Sequence, residues 1–275
     1  MHQTRIFSLI FLLCSLVISV PFARGEDPSP STSAPTFEEA FQKGIDAYQK
    51  KDYSAAQTAF LQALLIRPEE TSTLTNLALT HYRLGQKGWA LGYLREALAI
   101  DPGHREARQS YEFILEDSPP RDIPHQIEFW ESLRSGFLNH FSLLTFALLS
   151  LALFLICGWV WLTYLGARKR AVRTESAPPG FPVVPSILLV FFCLALSLAA
   201  AKWKDTLDPR ATVVVEKVAA LTAPSEQSPS LFELFEGLEV LVRQVKGDWI
   251  QVTYPGALTG WIPKSSLLII QRGAQ

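Results

Sequence analysis

Apolar residues run without a charge from Phe141 to Leu165 and again from Phe181 to Ala201. Each run reaches the length of about 20 residues that a helix needs to cross the hydrocarbon core. The stretch between them, 166–180, is short and carries Arg168, Lys169, Arg170 and Arg173. Lysine and arginine are retained on the cytoplasmic side, so the pattern predicts a transmembrane hairpin with a cytoplasmic loop and both flanks on the opposite face. Lys202, Lys204 and Arg210 come after the second run, so the charge bias there is smaller. Trp159, Trp161 and Tyr164 stand where the first span would leave the membrane inside, and Trp203 with Lys204 where the second would leave it outside. Pro185 interrupts only the first turn of the second run. A third apolar run, Ile6–Val20, comes after Arg5 and precedes Pro21, Ala23 and Gly25. Residues 1–25 read as a cleaved secretory signal or as an uncleaved anchor, and either exports the segment beyond Gly25.

Residues 26–36 are rich in Pro, Ser and Thr and read as a flexible linker. From Phe37 the pattern turns helical and repeats. A shift of 34 residues lays Gly44 on Ala78, Tyr48 on Tyr82, Ala56 on Ala90, Phe60 on Leu94, Ala63 on Ala97, Ile66 on Ile100 and Pro68 on Pro102. Small residues at these places let antiparallel helices approach, and the prolines end each second helix. The helices are predicted at about 37–50, 54–66, 71–84 and 87–100, with 104–116 as an amphipathic cap over the last apolar face. This spacing resembles the tetratricopeptide repeat (TPR), over 37–117. Residues 118–140 hold Pro119, Pro120 and Pro124, then an apolar helical pattern with Ile127, Trp130, Leu133, Phe137 and Leu138. That pattern is either an interfacial helix anchored by Trp130 or an extension of the first span.

Beyond the second span the period changes to that of strands. Ala211–Val218 alternates, and strand-like runs come next at 238–245, 249–253, 259–263 and 267–270, separated by Gly237, Lys246-Gly247-Asp248 and Pro255-Gly256. Short strands and tight turns over 208–271 predict a small barrel. The order Ala220-Leu221-Thr222-Ala223-Pro224, Glu236-Gly237-Leu238-Glu239-Val240, Gly247-Asp248-Trp249-Ile250-Gln251-Val252 and Thr259-Gly260-Trp261-Ile262-Pro263 resembles a bacterial SH3 domain. The expected fold class is therefore multidomain: an α-helical TPR array, a two-helix transmembrane hairpin and a small all-β SH3-like barrel.

Composition adds exclusions. The formal net charge of −1 gives no basis for bulk nucleic-acid binding. Cys14 lies in the signal, after Leu12 and Leu13 where a lipoprotein needs small residues, and Cys157 and Cys193 lie in the spans, so the exported parts fold without disulfides. The five histidines, His2, His81, His104, His125 and His140, form no metal or triad spacing, and Gly85, Gly88 and Gly92 lie in a helical repeat without a subsequent Lys-Ser or Lys-Thr. Glu38-Glu39 and Glu69-Glu70 read as solvated helix starts, Glu233 and Glu236 as loop residues. No enzyme, cofactor or metal site is expected.

Two surfaces remain. A groove along the first helix of each repeat would present Phe41, Ile45, Tyr48, Leu79, Tyr82 and Arg83 to a peptide or partner helix, unless these side chains cover one another or the cap. In the barrel, Trp249, Tyr254 and Trp261 form a candidate ligand surface, with one or both tryptophans alternatively in the core. The order TPR, paired spans, SH3 resembles the BatE family, membrane proteins of the Bacteroides aerotolerance (Bat) operons. That resemblance implies a non-enzymatic subunit of a bacterial envelope assembly on the inner membrane, with von Willebrand factor A-domain Bat proteins and, indirectly, a MoxR-type AAA+ ATPase as partners, and a link to oxidative stress. The alternative is an envelope sensor whose SH3 domain binds peptidoglycan.

Overall fold

The computed structural model describes residues 35–118, 129–177, 179–254 and 259–270, without the side chains of 129–131 and 135. The expected signal and most of the linker, Pro119, Pro120 and Pro124, the side chain of Trp130 and the Pro255-Gly256 turn fall outside the described residues.

The helical region opens at Thr36, whose hydroxyl accepts from the Glu39 amide while the Glu39 carboxylate accepts from the Thr36 amide. This reciprocal cap satisfies two otherwise unpaired amides and starts α1 (Phe37–Gln49). Asp52 caps α2 (Tyr53–Ile66) through the Ala55 amide. α3 (Thr71–Arg83), α4 (Lys87–Ile100) and α5 (Arg105–Glu116) come next at the expected places. A Cβ on Gly44 would sit 2.5 Å from the Phe60 ring, so only glycine permits this approach of α1 to α2. Ala56, Phe60 and Leu77 form one buried cluster, and Leu74, Ala78, Ala90, Leu91, Leu94, Ala97, Ala107 and Ile114 the next. α5 packs on α3 and α4 and closes that second cluster.

α6 (Phe129–Gly136) is separated from the first apolar helix by a 3₁₀ turn at Leu138–His140. Ser142 then caps α7 (Leu143–Arg173) through the Thr145 amide, so α6 is not an extension of that helix. α7 and α8 (Val183–Leu207) are long and apolar enough to cross a membrane, with mean hydropathies of 2.5 and 2.6. They pack as a hairpin, with Phe154 against Phe192 and Cys157 and Ala195 buried. α7 continues past Leu165 through the basic residues. Arg168, Lys169, Arg170 and Arg173 thus lie on its last turns, where they complement the helix dipole, and the expected loop shrinks at its start.

Seven antiparallel strands complete the chain: β1 (Arg210–Val213), β2 (Lys217–Leu221), β3 (Ser230–Phe235), β4 (Glu239–Lys246), β5 (Trp249–Thr253), β6 (Thr259–Pro263) and β7 (Leu267–Ile269). Ala211–Val218 is not one strand: the Glu216 carbonyl accepts from the Glu236 amide at a turn that splits it into β1 and β2. The order is β3-β2-β6-β5-β4-β1-β7. The sheet is open and not the closed barrel expected. β3 and β7 are its edges among the described residues, because β7 spans three residues and pairs only with β1. Ala211, Val213, Ala220, Leu234, Val240, Ile250, Val252 and Ile262 fill the core on one face.

Candidate interaction surfaces

Three of the expected groove residues, Tyr48, Tyr82 and Arg83, make bonds between repeats. Arg83 Nε donates to Tyr48 Oη at 3.4 Å, and Tyr82 Oη donates to Asp117 Oδ2 at 3.0 Å. Both bonds join residues 35 apart, so each repeat's tyrosine reaches the end of the next first helix, and α5 serves as that helix for Tyr82. Lys87 and Tyr82 both donate to Asp117, which holds its carboxyl below the usual range, while the same bond raises the Tyr82 hydroxyl. Tyr82 also meets Phe113 edge-on, and Tyr48 meets Tyr53. Phe41 stacks on Phe37 and tilts against Phe60, and Ile45 packs on the same cluster. Leu79 is half-buried, and Arg83 is the exposed member of the set.

Nearby, His81 is buried between Trp89 and Tyr93, with ring centroids at 5.6 and 5.3 Å. Burial lowers its pKa against the opposing effect of Gln86, so the ring is neutral at pH 7. Its Nδ1 lies 2.6 Å from Gln86 Oε1, an acceptor, so the proton resides on Nδ1. Burial, and then Glu96, push the Tyr93 hydroxyl up to about 12. These are packed, uncharged groups.

On the sheet, Ile250 and Val252 face the core, so alternation turns Trp249 and Gln251 outward. Trp249 stands opposite Pro263, and Gln251 opposite Trp261. Cross-strand partners share a face, so the two tryptophans lie diagonally on one outer surface. Trp249 is half-buried, while Trp261 is only 9% exposed. Tyr254 has the opposite parity and packs against the core, away from both. Glu233, expected in a loop, lies in β3 and pairs with Lys217 at 2.7 Å.

The largest departure from the expected organisation lies between the modules. α4 docks directly on the sheet. The Gly88 amide donates to Glu236 Oε1 at 2.7 Å, and Arg95 donates to Thr212 Oγ1 at 2.9 Å and to the Gly237 carbonyl at 2.8 Å. A Cβ on Gly88 would lie 2.7 Å from the Val213 carbonyl oxygen, and one on Gly92 2.7 Å from Leu268. Gly237 has φ +83°, and a Cβ there would strike Leu91 at 2.7 Å. The glycines of α4 are therefore fitted to the sheet.

A buried ion cluster joins the sheet to the apolar helices. Arg134 of α6 donates through Nε to Asp205 of α8 at 2.8 Å. It also grips Glu239 of β4 with both terminal nitrogens, at 3.1 and 3.0 Å. Arg210, which opens β1, approaches Asp205 at 3.4 Å and Glu239 at 3.8 Å, and Lys202 lies 4.0 Å from Asp205. Burial alone would raise the Glu239 pKa. Arg134, Arg95 and Arg210 outweigh it and hold the carboxyl at about 2. Lys202 and Arg210 are thus paired groups, whereas Arg168, Lys169, Arg170 and Arg173 are exposed. Pattern reading found none of these contacts. The available signal was Asp205, an acid set between Lys202, Lys204 and Arg210 directly after the apolar run.

Among the described residues no group of three or more His, Cys, Asp or Glu is arranged to hold a metal. What the surfaces offer is aromatic faces, exposed backbone edges and scattered polar groups, the means of binding peptides and proteins. Comparison with protein families agrees at the level of modules. The model for the bacterial SH3 domain matches residues 214–268, and the tetratricopeptide repeat model matches residues 72–104. No curated protein matches the chain. The chain thus carries a TPR repeat over α3 and α4 and a bacterial SH3 domain over most of the sheet, beside two apolar helices.

Proposed function

We propose that this chain is a non-enzymatic scaffold, anchored by α7 and α8 as two membrane spans. It presents a composite TPR–SH3 module on the outer face of a bacterial inner membrane, as a subunit of a Bat-type envelope assembly linked to aerotolerance. The carrying observation is the docking of α4 on β1. It requires residues on both sides of the apolar hairpin to occupy one side of the membrane, which an even number of spans satisfies. The four exposed basic residues at the end of α7 support placing the loop inside and the module outside. In this reading α1 and α2 form a first repeat, α3 and α4 a second, and α5 the cap. Tethering two binding surfaces on one body raises their effective concentration for a shared partner.

The half-buried, outward Trp249 favours a second reading, in which the SH3 face binds a cell-wall peptide and the protein senses the envelope. Purification of the tagged full chain from detergent-solubilised membranes separates the two. The scaffold reading expects membrane proteins with von Willebrand factor A domains to co-purify and to persist with Trp249→Ala. Muropeptide binding that is lost in Trp249→Ala, without co-purifying membrane proteins, contradicts it in favour of the sensor.

A further inference from the structure

The direction of α4 orients the whole helical module. β1 begins just after α8 ends, with only Asp208 and Pro209 between them, and its first residue, Arg210, meets Asp205 at the end of α8. α4 runs against it: Gly88 near the helix start meets Val213 and Val214, and Arg95 further on reaches Thr212. The C-terminal end of α4 therefore points back toward the apolar helices. An independent contact agrees. Arg108 donates to the Pro102 carbonyl just past α4 at 2.7 Å and to the Asn139 carbonyl at 3.4 Å, shortly before Ser142 caps α7.

α2 and α4 are the second helices of successive hairpins, so they run the same way. The C-terminal end of α2 consequently faces the level at which α7 and α8 emerge. That end carries Leu61, Leu65 and Ile66, all exposed, Leu65 by 85%. By the 34-residue shift these three correspond on α4 to Arg95, Ala99 and Ile100, where Arg95 is bonded to the sheet and Ile100 packs on the buried cluster. Phe141 and Trp203, also exposed, flank the emerging ends of α7 and α8.

We propose that Leu61, Leu65 and Ile66 form a third membrane contact, by which the TPR end dips into the interfacial zone of the leaflet beneath it. The occupant is a lipid surface, and the inference rests on the reading of α7 and α8 as spans. The adjoining turn carries Arg67, Glu69 and Glu70, so its charge gives no attraction to anionic lipid. Apolar insertion drives the contact, which does not depend on anionic headgroups.

The test uses the full chain in phosphatidylcholine vesicles, with Cys14, Cys157 and Cys193 replaced by alanine and a bimane probe on one introduced cysteine. Leu65→Cys is the test site, Leu155→Cys in α7 the span reference, and Lys50→Cys, in the turn between α1 and α2, the aqueous reference. Shallow spin-labelled lipid should quench the probe at 65, and deep spin-labelled lipid the probe at 155, each at least threefold more than the probe at 50, with or without phosphatidylglycerol. Quenching at 155 with position 65 as unquenched as position 50 overturns the contact. An unquenched probe at 155 overturns the span reading and the contact with it. A probe at 65 shielded from aqueous iodide but not quenched by lipid shows that protein covers the patch, and also overturns the proposal.

Discussion

Gly88 shows how a single side-chain position can report on the arrangement of modules. In an exposed helix interior, alanine is favoured over glycine by about 1 kcal/mol. Here the added methyl would meet the Val213 carbonyl and the Val214 backbone, which cannot rotate away. Gly88→Ala should therefore destabilise the protein, by about 1–3 kcal/mol. Backbone amides of β1 should exchange faster in the variant by hydrogen-exchange mass spectrometry. An increase in stability would mean that α4 does not touch the sheet. Glu239 gives a second test at the same scale. Its folded pKa of about 2 lies below the ordinary 4.5, so its contribution to stability is complete above the ordinary value and is lost as pH falls toward 2. Glu239→Gln removes one of the two acid partners of buried Arg134, leaving Asp205, and should cost about 1–3 kcal/mol at neutral pH. The melting temperature of the variant should then change less than that of the parent between about pH 5 and pH 3. Parallel pH profiles would show that Glu239 is not the titrating group.

At the level of elements, the tyrosines decide whether the repeat face is a groove or a set of ties. Tyr82 packs on the Leu74–Leu94 cluster and reaches Asp117 at the end of α5. Tyr82→Ala should lower the melting temperature of the helical signal in circular dichroism, with a cost of about 3 kcal/mol. Tyr82→Phe removes one exposed bond and should cost less than about 1 kcal/mol. If Tyr82→Ala leaves melting unchanged, the side chain belongs to a binding surface after all. The helices themselves were legible because a 34-residue shift aligns small and large residues directly, and because helix caps and hydrophobic period are local signals. β3 was missed for a local reason too. Ser230–Phe235 carries Leu231, Phe232, Leu234 and Phe235, so its apolar residues fall on both faces and no clean alternation appears. The open sheet was out of reach, because closure depends on which edges pair and not on the pattern within any strand.

Across the whole molecule, the contacts that make one body of several modules are the ones no local pattern encodes. Arg134 meets Asp205 across 71 residues and Glu239 across 105, and Gly88 meets Glu236 across 148. In sequence these look like ordinary surface charges and a helical glycine. In the fold they dock the TPR helices on the sheet and tie the sheet to the end of α8. The modules are thus not beads on a flexible chain, and any partner that binds one surface meets the other at a fixed distance. The scaffold requires both modules on one side of the membrane and the basic end of α7 on the other. The direct measurement is labelling of single cysteines at Lys50→Cys, Ser176→Cys and Gln227→Cys, in a cysteine-free chain, with a membrane-impermeant maleimide on spheroplasts. Positions 50 and 227 should label at once, and position 176 only after permeabilisation. Labelling of 50 and 227 from opposite faces, or of 176 together with both, would contradict this topology and the scaffold built on it.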